Sequence, residues 1–152
     1  MNPVFSRIHH VCIVVHDIRK TEAYYTSIGI GPWQDYPPLS NVIELEVPDR
    51  EAFLQAIYRY VDISNLQIQL CQPSLRDCPQ RRFLETHGEG VYHLGFEVPE
   101  INAGEAQARQ GGMTVTMKGR RADGGGFTYF DTAEHAGGVV LEIRASGPTK
   151  ET

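Results

Sequence analysis

Two stretches of the chain combine the apolar pattern of a buried strand with a histidine near its centre. They cover residues 7–15 and 90–98, and superimposing them places His10 on His93, an offset of 93 − 10 = 83 residues. The same offset relates five further identical pairs, which are Val15 and Val98, Ile18 and Ile101, Glu22 and Glu105, Ala23 and Ala106, and Gly29 and Gly112. One spacing shared by a strand and the segment after it predicts an internal duplication.

The first copy is predicted to open with a strand over Ile8–Val15, followed by a helix. Asp17 is a suitable N-cap for that helix, and Gly29 is a suitable residue to end it. Alternation along the strand places His10 on one face of the sheet and His9 on the other.

Beyond this helix, the pattern predicts an extended run over residues 41–47 and a hairpin whose arms are residues 53–61 and 65–72. A polar connection over residues 73–90 carries a short predicted helix near residues 80–86. The second copy then gives, in order, a strand over residues 91–98, a helix over 101–110, a strand over 113–117, a glycine-rich loop over 118–126, a strand over 127–131 and a closing strand over 139–143.

Each copy is therefore predicted to contain a strand, a helix and then about three strands. A unit of that size cannot bury its own apolar faces, so two of them should pack into one body. We predict an α+β fold in which two βαβββ modules, about 7–73 and 90–144, pair within a single domain over residues 1–152.

Composition and charge argue against two classes of function. A formal net charge of −5 disfavours a general nucleic-acid binder, and the apolar runs are far shorter than a membrane span. The N-terminus lacks the basic start and long apolar stretch of a signal peptide. Cys12, Cys71 and Cys78 form no CxxC pair, which is typical of reduced thiols in a cytoplasmic protein.

Four polar residues lie on otherwise apolar strands, at corresponding places in the two copies. His10 and His93 occupy the opening strands, and Gln69 and Glu142 occupy the closing strands. Buried polar groups need partners, and each of these residues taken alone would be interpreted as structural. Their symmetric placement instead favours convergence on one point.

Two imidazole nitrogens, an amide oxygen and a carboxylate oxygen suit a divalent ion such as Zn, Ni, Co, Mn or Fe, with coordination positions left open. The centre would keep a net positive charge, because only Glu142 among the four ligands is anionic. Such a centre stabilises an oxyanion or an enolate that forms during a reaction.

In these features the chain resembles the vicinal oxygen chelate superfamily, which includes glyoxalase I, methylmalonyl-CoA epimerases, extradiol dioxygenases and bleomycin-resistance proteins. The resemblance runs from about Ile8 to Ile143, and its motifs are residues 8–11, 66–70, 92–98 and 137–143. It implies a glyoxalase-like fold, with βαβββ modules paired into a cup around a metal. The metal ligands would be the four polar residues described above.

Within the superfamily the chain is most similar to the methylmalonyl-CoA epimerases. The matching features are the His/Gln/His/Glu set, the segment 83–90 before His93 and a glycine-rich loop before the penultimate strand. The resemblance implies an isomerase that removes the α-proton of a malonyl-type acyl-CoA through a metal-stabilised enolate. Glu142 would be a ligand and an acid/base, and Glu44 the second carboxylate, although a solvated strand carboxylate is an equally good interpretation of Glu44.

The predicted loop over residues 118–126 falls where these epimerases hold CoA. Its cations, Lys118, Arg120 and Arg121, would meet phosphates, and Gly124 and Gly125 would allow close approach of the backbone. A flexible hairpin loop with solvated charges is the alternative interpretation. The resemblance also implies a homodimer, since dimers are usual in the superfamily.

Three other functions share these residues. A glyoxalase I-like lyase would apply the same enediolate chemistry to a thiol adduct. An Fe(II) extradiol-type dioxygenase would use His10, His93 and Glu142 as a facial triad. Gln69 argues against this function, because it would fill a fourth coordination position. A ligand-binding protein without metal catalysis would hold no stoichiometric metal.

Overall fold

The computed structural model describes residues 3–147, so the outermost limits of the predicted domain lie outside the described residues. Within that range the elements are, in chain order, β1 (Ile8–Val14), α1 (Ile18–Ser27), β2 (Gln34–Asp35), β3 (Val42–Glu46), α2 (Arg50–Gln55), β4 (Ile57–Ile63), β5 (Leu66–Gln72), α3 (Pro79–His87), β6 (Gly90–Glu97), α4 (Ile101–Gln110), β7 (Val115–Arg121), β8 (Gly126–Phe130) and β9 (Val140–Ala145). The predicted α+β class is confirmed. None of the helices in this part of the chain has the length and apolar character needed to cross a membrane.

All the described strands join one sheet, in the order β2-β4-β5-β1-β6-β9-β8-β7-β3. The two histidine-bearing strands, β1 and β6, lie side by side and antiparallel at its middle. Each has a parallel neighbour on its other side, β5 beside β1 and β9 beside β6. The four strands that carry the four polar residues are therefore adjacent in the sheet.

Alternation along the strands divides their side chains between the helices and the opposite face. On β5, Leu70 packs in one core cluster with Ile18 of α1, and on β9, Ile143 packs with Ile101 of α4. Burying side chains of this size stabilises the fold by about 1.5–3 kcal/mol each. Their neighbours Gln69 and Glu142 therefore point to the face away from these helices.

The structure confirms the predicted limits of two helices, α1 and α4. The Asp17 carboxylate accepts a hydrogen bond from the backbone N–H of Lys20 at 3.2 Å, which satisfies a free donor of the first turn of α1. Gly29 follows the end of α1 with a φ of 95°, a left-handed conformation that glycine adopts without strain. The helix predicted over residues 101–110 is α4, with the same bounds.

Two predicted segments were wrong. The predicted hairpin arm over residues 53–61 begins too early, because residues 53–55 belong to α2. The Asp49 carboxylate caps this helix by accepting from the N–H groups of Glu51 and Ala52. Most of the predicted loop over residues 118–126 is strand, since β7 continues to Arg121 and β8 begins at Gly126.

Strand β3 pairs outside its own half of the sheet. It follows β2 in sequence, yet it lies antiparallel to β7 at the far edge. A β-bulge between Val42 and Glu44 shifts the register, so that Leu45 lies opposite Gly119. β3 and α2 are thus an insertion between β2 and β4 that has no counterpart in the second copy.

Candidate metal centre

Three of the four predicted ligands converge on one point. The Nε2 atoms of His10 and His93 are 2.9 Å apart. Glu142 places one carboxylate oxygen 3.0 Å from His93 Nε2 and the other 3.6 Å from His10 Nε2. All three residues are buried, with 2%, 1% and 4% exposure respectively. Within residues 3–147 they are the one group of three or more His, Cys, Asp or Glu side chains arranged closely enough to hold an ion.

These separations suit a divalent ion. With metal–ligand bonds of about 2.0–2.2 Å, neighbouring ligand atoms of a tetrahedral or octahedral site lie about 2.8–3.6 Å apart. The observed 2.9, 3.0 and 3.6 Å fall within that range. Zinc, nickel, cobalt, manganese and iron all accept such a nitrogen–oxygen set. The residues present therefore fit a divalent transition metal as a class.

The protonation of Glu142 and His93 also favours metal binding. Burial alone would raise the pKa of Glu142, but the facing rings of His93 and His10 hold it well below its usual range. Burial lowers the pKa of His93, against the opposing charge of Glu142. At neutral pH the carboxylate is ionised and the His93 ring is neutral, which are the forms that ligate metals.

Gly95 and His9 hold His10 in place. Gly95 lies opposite His10 in the pairing of β1 with β6, and a Cβ at residue 95 would lie only 2.0 Å from His10 Cε1. The His10 Nδ1 lies 2.7 Å from the Nδ1 of His9, so one ring donates to the other. If the Nε2 lone pair of His10 were given to an ion, Nδ1 of His10 would be the donor, and His9 would fix that tautomer.

The prediction that His9 lies on the opposite face from His10 is wrong. A β-bulge between Ile8 and His10 interrupts the alternation, and His9 lines the same cavity as His10. Burial and the charge of Arg144 lower the pKa of His9 to about 4, so its ring is neutral near pH 7. The amino-acid pattern carries no mark of this bulge, because a bulge depends on the partner strand.

The fourth predicted ligand, Gln69, lies on β5 and lines the same cavity as His10 and Glu142. The residue is 3% exposed. Its Nε2 donates a hydrogen bond to Oε1 of Gln67 at 2.7 Å. Its own amide oxygen accepts no hydrogen bond from any residue that the structure describes. That oxygen is the group that Gln69 can offer to an ion.

Tyr129 is a site residue that the sequence pattern did not predict. Its ring stands edge-on to His93, with 5.0 Å between the ring centroids. Burial, the charge of Glu142 and a hydrogen bond to Glu142 raise the pKa of Tyr129. Tyr129 is the register partner of Glu142, and Tyr60 has the same relation to Gln69 in the other half of the sheet. A comparison of β4 with β8 is the sequence signal that would have revealed this pair.

Three of the predicted ligands, His10, Gln69 and Glu142, line a cavity of about 560 Å³ to which both halves of the sheet contribute residues. Its aromatic lining consists of Tyr36, Phe53, Tyr58, Tyr60, Phe127 and Tyr129. Arg121 and Arg144 also line it, and each is paired with a carboxylate, Asp123 at 3.3 Å and Glu97 at 2.7 Å. The volume and the mixed lining are typical of a small-molecule site.

Two of the three predicted cofactor-binding cations face away from this cavity. Lys118 and Arg120 both bind the Glu105 carboxylate of α4, at 3.3 Å and 2.8 Å. They share one face of β7 because they are two residues apart, and Arg121 points to the other face. Of the three, only Arg121 lines the cavity.

The predicted second carboxylate and the predicted glycines also lie outside the cavity lining. Glu44 is exposed, because the bulge in β3 directs Val42 rather than Glu44 to the cavity. Gly124 and Gly125 lie in the turn between β7 and β8. The structure therefore brings His10, His93 and Glu142 together, places Gln69 at the same cavity as His10 and Glu142, and leaves Glu44 apart from them.

Proteins of known identity resemble this chain in sequence and in fold. The sequence model of the family described as Glyoxalase/Bleomycin resistance protein/Dioxygenase superfamily matches residues 9–130. The human mitochondrial methylmalonyl-CoA epimerase is 26% identical over 140 residues, which cover 91% of this chain and 73% of that protein.

Solved structures show the same fold. The methylmalonyl-CoA epimerase of Mycobacterium tuberculosis has a TM-score of 0.70 at 21% identity, over 95% of this chain and 91% of that chain. A variant of the Streptomyces coelicolor methylmalonyl-CoA epimerase, in complex with 2-nitronate-propionyl-CoA, has a TM-score of 0.68 at 24% identity, over 93% of this chain and 98% of that chain. The predicted resemblance is confirmed, and the chain belongs to the Glyoxalase/Bleomycin resistance protein/Dioxygenase superfamily, the vicinal oxygen chelate group.

Proposed function

We propose that this chain is a metal-dependent isomerase that inverts the α-carbon of an acyl thioester, with a malonyl-type acyl-CoA as its substrate class. The observation that carries the proposal is the convergence of His10, His93 and Glu142 beside a cavity. Similarity to methylmalonyl-CoA epimerases in sequence and in fold supports an enzyme of the isomerase class. The Streptomyces relative binds an acyl-CoA derivative, which supports the substrate class.

A divalent ion held by His10, His93, Glu142 and the amide oxygen of Gln69 would polarise the substrate carbonyl and make its α-proton more acidic. The protein contributes one negative charge to this centre, that of Glu142. A divalent ion with this single anionic ligand would keep a net positive charge, which favours an anionic substrate.

Glu142 is the proposed acceptor of the α-proton, because its carboxylate is ionised and lines the cavity. Tyr129 lies opposite Glu142 in the sheet register and keeps its own proton, since burial and the neighbouring charge raise its pKa. Inversion also needs a group on the other side of the carbon. We assign that role to Tyr60, whose place in the other half of the sheet corresponds to that of Tyr129.

Arg121 and Arg144 are the cations available at the cavity for the anionic parts of the substrate. Each guanidinium has five N–H donors, more than the bonds to Asp123 and Glu97 use. Free thiols at Cys12, Cys71 and Cys78 suit the proposed cytoplasmic location. The homodimer stays a prediction, which light scattering of the purified protein would test.

Proton NMR in D₂O tests the proposed reaction, with Co(II)-loaded protein and methylmalonyl-CoA. We expect exchange of the α-proton with wild-type protein and its loss in Glu142→Gln. Absence of exchange across a panel of malonyl-type CoA esters would refute the proposal. Turnover of a glutathione hemithioacetal would instead indicate a lyase. Oxygen uptake with Fe(II) and a catechol would indicate a dioxygenase. Absence of stoichiometric metal on elemental analysis would indicate a ligand-binding protein.

A further inference from the structure

Three side chains on β4 and β5 form a hydrogen-bonded row that ends at the metal centre. Gln67 and Gln69 are two residues apart on β5 and share one face. The Nε2 of Gln69 donates to Oε1 of Gln67 at 2.7 Å, and the Nε2 of Gln67 donates to Oδ1 of Asp62 at 3.1 Å. Asp62 is also the register partner of Gln67 on β4. Both hydrogen bonds run in the same direction, away from the centre.

The carboxylate of Asp62 fixes this direction. A carboxylate only accepts hydrogen bonds, so Gln67 must turn its NH₂ group to Asp62 and its oxygen to Gln69. Gln69 must then donate its NH₂ group to Gln67, which leaves its oxygen as the free end. The Gln69 amide is nearly symmetric in shape and could otherwise turn either end to the cavity. The hydrogen bond to Gln67 holds it in one orientation.

Orientation decides whether Gln69 can ligate a metal. The amide oxygen has lone pairs to give to a cation, whereas the NH₂ group only donates hydrogen bonds. Gln69 is buried and lines the cavity with His10 and Glu142. Among residues 3–147 no donor occupies its oxygen, which leaves the oxygen available to a group in the cavity.

We infer that Asp62 and Gln67 are positioning residues that turn the oxygen of Gln69 towards the metal. The inference deepens the proposed function and rests on it, because it concerns a metal bound at this centre. Outer partners of metal ligands typically contribute about 10–100-fold to metal affinity. Asp62 is exposed to solvent, which competes for its hydrogen bond, so we expect the lower end of that range.

Reversing the polarity of the row tests this inference. Asp62→Lys supplies a group that only donates, so Gln67 must present its oxygen to Lys and its NH₂ to Gln69. The oxygen of Gln69 then accepts from Gln67 and no longer faces the metal. Adding Gln67→Glu to Asp62→Lys restores the original direction, because the new carboxylate accepts from both neighbours. Asp131→Lys makes the same charge change at an exposed residue outside the cavity and serves as the control.

Isothermal titration with CoCl₂ is the first readout. We expect Asp62→Lys to bind Co(II) about tenfold more weakly than wild type, the double variant to recover the wild-type affinity, and Asp131→Lys to leave it unchanged. Wild-type affinity in Asp62→Lys would overturn the inference, as would failure of the double variant to recover.

Neutron diffraction of the deuterated, metal-free proteins is the second readout, because it shows the amide deuterons directly. We expect the Gln69 ND₂ group to face Gln67 in wild type and to face the cavity in Asp62→Lys. An unchanged amide in Asp62→Lys would overturn the inference even if the proposed function holds. A reversed amide in a protein that binds no Co(II) would overturn the proposed function and leave the orienting role of Asp62 and Gln67 intact.

Discussion

Gly95→Ala tests whether the space beside β6 holds His10 in the metal centre. A Cβ at residue 95 would lie 2.0 Å from His10 Cε1, 2.3 Å from Nε2 and 2.5 Å from Nδ1. Carbon atoms in favourable contact are about 3.5 Å apart, so the ring has to move by about 1.5 Å. The backbone cannot readily yield, because Gly95 is paired on both sides, with β1 and with β9.

A displacement of about 1.5 Å is large beside a metal–nitrogen bond of about 2.1 Å, so His10 ceases to be a ligand. Disturbing only the outer partner of a ligand already costs about 10–100-fold in affinity. We therefore expect Gly95→Ala to weaken Co(II) binding by at least about 100-fold, or about 2.7 kcal/mol. Overpacking should also lower the free energy of unfolding of the metal-free protein by about 1–3 kcal/mol.

Isothermal titration with CoCl₂ measures the affinity, and urea denaturation of metal-free protein measures the stability. Gly90→Ala is the matched control on the same strand, because its Cβ would meet only the exposed ring of His87, at 3.2 Å. We expect this control to keep the wild-type affinity. If Gly95→Ala binds Co(II) as tightly as wild type, the ring of His10 does not hold the metal, and the reasoning about the centre is refuted.

Three further predictions concern the second proton-transfer group, the ion pairs between Glu105 of α4 and strand β7, and the metal itself. Tyr60→Phe should slow inversion of the α-carbon by about 100-fold, while Glu142 continues to exchange the α-proton with solvent. If proton NMR shows that both rates fall equally, Tyr60 does not have its assigned role. Burial would raise the pKa of Glu105, but the Thr128 hydroxyl and two cationic partners hold it below the ordinary 4.5. A carboxylate whose pKa is lower in the folded state stabilises the folded protein when the pH is above the unfolded-state pKa. This contribution is lost as the pH falls through the folded-state pKa. Glu105→Gln should therefore have a free energy of unfolding about 1–3 kcal/mol below that of wild type at pH 7. This difference should shrink below pH 4.5. If urea denaturation gives the same difference at acid pH as at pH 7, the ion pair does not stabilise the protein. Removing a metal present at about 100 times its Kd should destabilise the protein by about 2.7 kcal/mol and lower its Tm by about 5–10 °C, whereas His93→Ala should melt at the same temperature with and without EDTA.

The sequence by itself determined the centre of the fold and the strands that carry the four candidate ligands. Strand alternation has a period of two, so Leu70 and Ile143 assigned Gln69 and Glu142 to the opposite face without reference to other strands. Helix caps such as Asp17 act within one turn of chain, and their effects were predictable for the same reason. The duplication then placed the two halves of the candidate ligand set in corresponding strands.

The tertiary structure alone decided which further side chains reach the cavity. One bulge in β1 turns His9 inward, and another in β3 turns Glu44 outward. The ion pairs with Glu105 draw Lys118 and Arg120 to the helix side of β7. Register, bulges and edge pairing depend on contacts with strands that are distant in the chain, and one extra residue in a strand reverses the face of every side chain beyond it.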